Sequence, residues 1–223
     1  MSNVLIVAPH PDDEILGCGG VIYKHKNNGD QIHWLIVTHI FEEQGFSKER
    51  ISTREKEIYE VANKIEFNSV NHLKFPTAQL DTIPTENIIS SIGKVVKETN
   101  AQIVYVPYRG DIHSDHHIVF DATVACTKWF RYPTVEKVLV YETLSETDFV
   151  IDPDTNGFRP NVFVDISEFL EKKIENMNIY KSEIAPHPFP RSEQAIRALA
   201  TLRGAAAGVR AAEAFMLVKE RVL

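Results

Sequence analysis

The stretch VLIVAPHPDDEILGCGG, residues 4 to 20, decides how this chain is read. Val4 to Ala8 have the length and β-branched content of a strand buried on both faces. The run stops at Pro9, and His10, Asp12, Asp13 and Glu14 follow at once. Carboxylates crowded at the end of a buried strand repel one another, and taking them out of water is costly unless something pairs with them. A metal cation would satisfy them together. Helix capping is the plainer alternative for Asp12 or Glu14, because a carboxylate in a first turn satisfies free N–H groups and complements the helix dipole.

Comparable apolar runs recur at Ile32 to Thr38, Ile103 to Val106, Val138 to Tyr141 and Val162 to Val164, with NHLKF around His72 as a weaker strand. Helical spacing fills Gly19 to Lys26, Ser47 to Ile65, Thr85 to Thr99 and Ser114 to Phe130. Strand and helix alternate, which predicts an α/β protein: a three-layer, Rossmann-like fold with a mostly parallel sheet. After NVFVDIS the chain reads as helices at Ser167 to Ser182, at Arg191 to Arg203 and in the alanine-rich GVRAAEAFMLVKERV, so a helical C-terminal segment is expected to pack on the sheet. The proline-rich IAPHPFPRS between them must be a loop. No repeat or linker divides the chain, and residues 1–223 are expected to form one domain.

In such a sheet the ligand sits beyond the carboxyl ends of the strands, where the strand order reverses and the first and fourth strands are neighbours. His10 to Glu14 follow the first strand, and VPYRGDIHSDHH follows the fourth. Two histidine and aspartate clusters far apart in sequence would therefore meet at one crevice. Zinc takes imidazole nitrogen and carboxylate oxygen readily, and a catalytic site needs three protein ligands and an open position. His10 and Asp13, three apart across a Pro-Asp turn, can converge on one ion. Asp12 between them must point elsewhere, which makes it the natural general base. From HSDH, one imidazole completes a His-Asp-His set and the other is free for catalysis.

The acidic excess, a formal net charge of -7, offers no basic footprint for nucleic acid. No apolar run reaches the length of a membrane span and no signal peptide is evident, so a cytoplasmic protein is expected. Cys18 and Cys126 match neither a zinc ribbon nor a disulfide framework and are read as free, buried thiols. Gly17, Gly19 and Gly20 have the wrong spacing for a dinucleotide turn and are read as close-packing positions. His187 and Arg191, in the proline-rich loop, are read as structural, with contact to an anionic leaving group or a neighbouring subunit as the alternative.

PHPDDE at 9 to 14 with HSDH at 113 to 116 resembles the two signature motifs of the LmbE-like, or PIG-L, family of zinc-dependent N-acetylglucosamine deacetylases. STREKE around Arg54, FPTAQLDT around Asp81, VYETLSET at 140 to 147 and LATLRGAAAGVRAAEAF extend the resemblance over essentially the whole chain. It implies that His10, Asp13 and His116 hold Zn²⁺ or Fe²⁺, and that Asp12 is the general base. His113 would stabilise the oxyanion or act as acid, oriented by Asp115, while Arg54 and Asp81 would contact the sugar. The implied substrate is a small N-acetylated amino sugar, and the implied assembly a homo-oligomer. Hydrolysis of another amide or thiol conjugate by the same residues, and sugar binding without cleavage, are the rival functions.

Overall fold

The computed structural model describes residues 1–150 and 157–222. Every side chain of the first strand, β1 (Asn3–Ala8), is buried from Val4 onward. Val4, Ile6 and Ala8 enter one core, whereas Leu5 and Val7 enter another on the opposite face. That alternation, with both sides apolar, is what a central parallel strand requires. The neighbouring β2 (Gln31–His39) repeats it, with Trp34 and Ile36 on one face and Leu35 and Val37 on the other. β3 (Ser69–Pro76), β4 (Ile103–Pro107) and β5 (Lys137–Tyr141) complete the parallel part. Two later strands, β6 (Val162–Asp165) and β7 (Ala212–Glu220), extend it. Among the described residues the order is β3-β2-β1-β4-β5-β7-β6, with β7 antiparallel to both neighbours.

Helices α1 (Asp13–Asn27), α2 (Lys48–Ile65), α5 (Leu170–Met177) and α6 (Glu193–Ala207) place apolar residues in the first core, among them Ile15, Ile22, Val61, Ile174 and Ile196. α3 (Thr85–Glu98) and α4 (Ser114–Ala125) cover the other face through Ile88, Ile92, Val96 and Val119. The result is the expected three layers. Cys18 and Cys126 are free and buried, as read from the sequence.

The alanine-rich end departs from expectation. The helix α6 closes at Gly208, a left-handed cap with φ 73°, and Ala212 to Glu220 then form a strand between β5 and β6. Phe215 and Leu217 face one core while Met216 faces the other, a period-2 pattern that Ala, Glu and Leu propensities mask. The edge of β5 would otherwise be left unpaired, and tertiary pairing overrides local preference. Glu213 on β7 is buried and accepts bonds from the Gly20 and Val21 amides at 2.8 and 2.7 Å and from Lys173 Nζ at 2.7 Å. Lys173 Nζ also donates to the Leu16 carbonyl at 2.8 Å, so one satisfied ion pair joins β7, α1 and α5.

α1 begins at Asp13, six residues before the expected Gly19, so all three glycines lie inside it. A Cβ at Gly17 would fall 2.2 Å from Tyr141 Cδ2, and one at Gly20 would fall 2.6 Å from Ile166. Tyr141 cannot retreat, because its ring is fully buried and its hydroxyl donates to the Val7 carbonyl at 2.8 Å. Gly17→Ala is therefore expected to lower stability by about 1–3 kcal/mol through overpacking, read as a reduced urea midpoint. An unchanged midpoint would mean that α1 is free to shift. Similarly, α4 stops at Ala125, short of Phe130.

Candidate metal centre and active site

β1 and β4 are parallel neighbours at the reversal of strand order, so the residues after each strand face one crevice. Asp13 Oδ2 lies 3.3 Å from His10 Nδ1 and 3.3 Å from His116 Nε2. These three residues offer ligand atoms within 4.8 Å of one another. His116 is fully buried in the first turn of α4. Its Nδ1 pairs with Asp111 Oδ2 at 2.8 Å, and Asp111 Oδ1 accepts the Thr147 hydroxyl at 2.6 Å. Among the described residues its Nε2 has no hydrogen-bond partner. A buried, unpartnered imidazole nitrogen beside a carboxylate is a position that a cation satisfies.

His10 is held in the same manner, its Nε2 pairing with Asp115 Oδ2 at 3.0 Å. Each histidine thus has a carboxylate on the nitrogen opposite Asp13, the arrangement that orients ligating imidazoles and raises their basicity. Burial opposes charge on His116, yet Asp13 and Asp111 lift its pKa well above the ordinary value. Against the same burial, His116 and His10 hold Asp13 well below the carboxylate range. One carboxylate and two imidazoles fit zinc or iron(II).

His10, His113 and Asp115 form a second cluster of that size. It is less suited to an ion, because Asp115 Oδ2 already takes His10 and the Ala78 amide at 2.7 Å, and His113 Nδ1 already accepts the Asp115 amide at 3.1 Å.

Asp115 thus touches His113 through its amide, its carboxylate oxygen Oδ2 lying 3.9 Å from His113 Nδ1 and 3.0 Å from His10 Nε2. His113 is the N-cap of α4 and takes a free helix N–H, while the Asp115 side chain turns to His10. With Nδ1 accepting, the proton of neutral His113 sits on Nε2. Burial and the nearby His10 push its pKa down to about 4.

Asp12 occupies the N-cap position of α1 without capping it, at φ 122° and ψ -29°. A non-glycine residue there carries strain of order 1–3 kcal/mol, the kind retained at functional sites. Its amide donates to Glu14 Oε2 at 3.0 Å, and its Oδ2 accepts Arg191 Nη1 at 2.6 Å. Burial, reinforced by Asp13 and opposed by Arg191 and Arg54, pushes the Asp12 carboxyl up to about 7. Glu14 supports this turn, its Oε1 accepting the Tyr180 hydroxyl at 2.6 Å. Burial raises its pKa to about 8 against those hydrogen bonds.

A cavity of about 200 Å³ opens over these groups, lined by His10, Asp12, Asp13, His113, Arg54 and Arg191 among others. Arg54 is buried, donates to the Pro11 carbonyl at 2.7 Å and pairs with Glu183, so its charge is already engaged within the protein. Asp81, in the short turn Leu80–Thr82, is exposed and outside the lining residues. Asp111 and Glu183 escape the sequence reading as site residues, and Arg191 is weighed there only against an anionic leaving group or a neighbouring subunit, not against Asp12. Asp111 lies in the quoted RGDIH run but carries no spacing signal of its own, and the other two come from a proline-rich loop without periodicity.

Residues 5–127 match the PIG-L family, described as GlcNAc-PI de-N-acetylase. Over 236 residues the chain is 25% identical to the diacetylchitobiose deacetylase of Thermococcus kodakarensis, covering 98% of this chain and 84% of that one. It is 23% identical over 192 residues to a probable N-acetyl-alpha-D-glucosaminyl L-malate deacetylase 2 of Bacillus cereus, covering 81% of this chain and 83% of the other. A conserved protein of Thermus thermophilus superposes with a TM-score of 0.78 at 26% identity, over 100% of this chain and 97% of that one. The matched segment is more than half of the chain and holds both clusters of the crevice; the chain belongs to the PIG-L family of de-N-acetylases.

Proposed function

We propose that residues 1–223 form one metal-dependent N-deacetylase domain that hydrolyses the acetamide of a small N-acetylated amino sugar to free amine and acetate. The observation that carries this reading is the buried His116 Nε2, unpartnered beside Asp13 and His10, with Asp12 and His113 flanking the same cavity. The names of the two deacetylase relatives support the amide and sugar classes. His10, Asp13 and His116 would hold the metal, which when bound polarises the acyl carbonyl and acidifies water.

Asp12 accepts a proton from the attacking water as oxygen adds to the acyl carbon. When the carbon–nitrogen bond breaks, the same proton passes to the leaving amine. Negative charge developing on the former carbonyl oxygen meets His113, whose Nε2–H donates without protonating the ring. His113 is therefore a neutral hydrogen-bond donor here, not an imidazolium acid. His113→Ala is expected to keep its metal and lose about 100-fold or more in turnover. Metal loss, or full activity, would remove that role.

The test of the function is acyl release from sugars carrying N-acetyl or larger N-acyl groups, free, phosphorylated, nucleotide-linked or conjugated. Acetate release by metal-loaded protein supports the proposal. Release of only a larger acyl product identifies a different amidase, and no release from any substrate leaves a sugar-binding protein.

A further inference from the structure

The loop between α5 and α6 makes two contacts with the metal-site turn and two with the adjoining helix α2. Tyr180 donates to Glu14, Ser182 donates to Glu57, Glu183 pairs with Arg54, and Arg191 reaches Asp12, 179 residues away in sequence. Arg191 Nη1 bridges two carboxylates, Asp12 Oδ2 at 2.6 Å and Glu183 Oε2 at 3.1 Å. Glu183 is itself mostly buried and gathers Arg50, Arg54 and Arg191. The Asp12 backbone is strained, and its side chain makes no capping bond of its own. Among the described residues nothing hydrogen-bonds Asp12 Oδ1. One oxygen of the carboxylate is pinned and the other is left open to the cavity.

We infer that Arg191, anchored by Glu183, is the positioning residue of Asp12, fixing its carboxylate by Oδ2 so that Oδ1 is the atom that takes the proton. This rests on the reading of Asp12 as general base. A single guanidinium serves both carboxylates, since it donates in two directions from one planar group and keeps its charge when buried. Glu183 prevents Arg191 from swinging toward solvent, and Arg54, held by the Pro11 carbonyl, prevents Glu183 from following. The base is thus set by a loop from the far end of the chain.

The experiment compares wild type, Arg191→Ala, Arg191→Lys and Glu183→Gln on the best acylated sugar, with metal content and thermal midpoint measured for each. Arg191→Ala is expected to lose about 10- to 100-fold in kcat, with KM changed less than about threefold and metal retained. Arg191→Lys and Glu183→Gln should lose less. Added guanidinium at millimolar concentration should restore part of the kcat of Arg191→Ala and leave wild type unaffected. Unchanged kcat in Arg191→Ala, or a loss that tracks the thermal midpoint and is not rescued by guanidinium, overturns the inference. A stability cycle of Asp12→Ala and Arg191→Ala, each of which removes the contact, reads it without turnover, and non-additivity is expected. Additive effects overturn the positioning role even if acetate is released. Failure of wild type to release any acyl group overturns the deacetylase reading alone, and the cycle then decides the fate of Arg191.

Discussion

Asp12→Asn is expected to lose about 100- to 10,000-fold in turnover while keeping its metal and its fold. The substitution removes the proton acceptor with almost no change in volume. An asparagine oxygen can still accept from Arg191 Nη1, now 2.6 Å from Oδ2, so the loop contact survives. His10, Asp13 and His116 are untouched, so metal content should stay at the wild-type level. Stability should change little, because the carboxylate is buried against Asp13 and its desolvation is only partly offset by Arg191 and Arg54. Acyl release, metal analysis and a thermal melt on the same preparation separate these effects. Turnover within tenfold of wild type would show that another group takes the proton. Loss of metal would show that Asp12 belongs to the ligand set.

His116→Ala should remove metal, turnover and part of the stability together. The side chain is fully buried between Asp13 and Asp111, both nearly inaccessible themselves. Truncation leaves two carboxylates facing a void, and breaking a buried pair by removing one partner typically costs about 3–5 kcal/mol. Asp111 keeps the Thr147 hydroxyl, and Asp13 keeps His10. Chelation of wild type should act in the same direction but less severely, since it withdraws only the stabilisation that native-state binding contributes. Asp111→Asn isolates the orienting role. It retains all three ligands and is expected to weaken metal binding or turnover by about 10- to 100-fold. If His116→Ala still binds metal at the wild-type stoichiometry, the competing cluster of His10, His113 and Asp115 becomes the metal site.

The two signature segments were legible before folding because each carries its chemistry locally. Val4 to Ala8 are apolar on both faces, so they demand the middle of a parallel sheet. A strand there must deliver His10 to Asp13 to the sheet's carboxyl edge. The alternation of strands and helices forces β4 beside β1, and with it His113 to His116. His10, Asp13 and one imidazole of HSDH could be grouped from sequence for that reason, with Asp12 singled out between two converging neighbours, whereas the choice of His116 came from the family resemblance.

Groups whose partners lie far away in sequence were not legible. The resemblance implies that Asp115 orients His113, and its amide does hold that ring, but nothing local announces that its carboxylate pairs with His10, 105 residues away. The resemblance sets Arg54 against the sugar, and Arg54 lines the cavity, but nothing in the sequence announces that burial obliges its charge to find Glu183. The final strand shows the same physics in the backbone. Ala212 to Glu220 carry residues that favour a helix in isolation, and only the unpaired edge of β5 makes extended pairing the better outcome.

By itself the sequence determined the layers, the crevice and the types of the candidate ligands, since those follow from periodicity and from charge placed at strand ends. Tertiary structure alone decided which carboxylate orients which imidazole and which arginine holds Asp12. Those choices turn on desolvation and hydrogen-bond satisfaction among groups that approach one another only after the chain has closed.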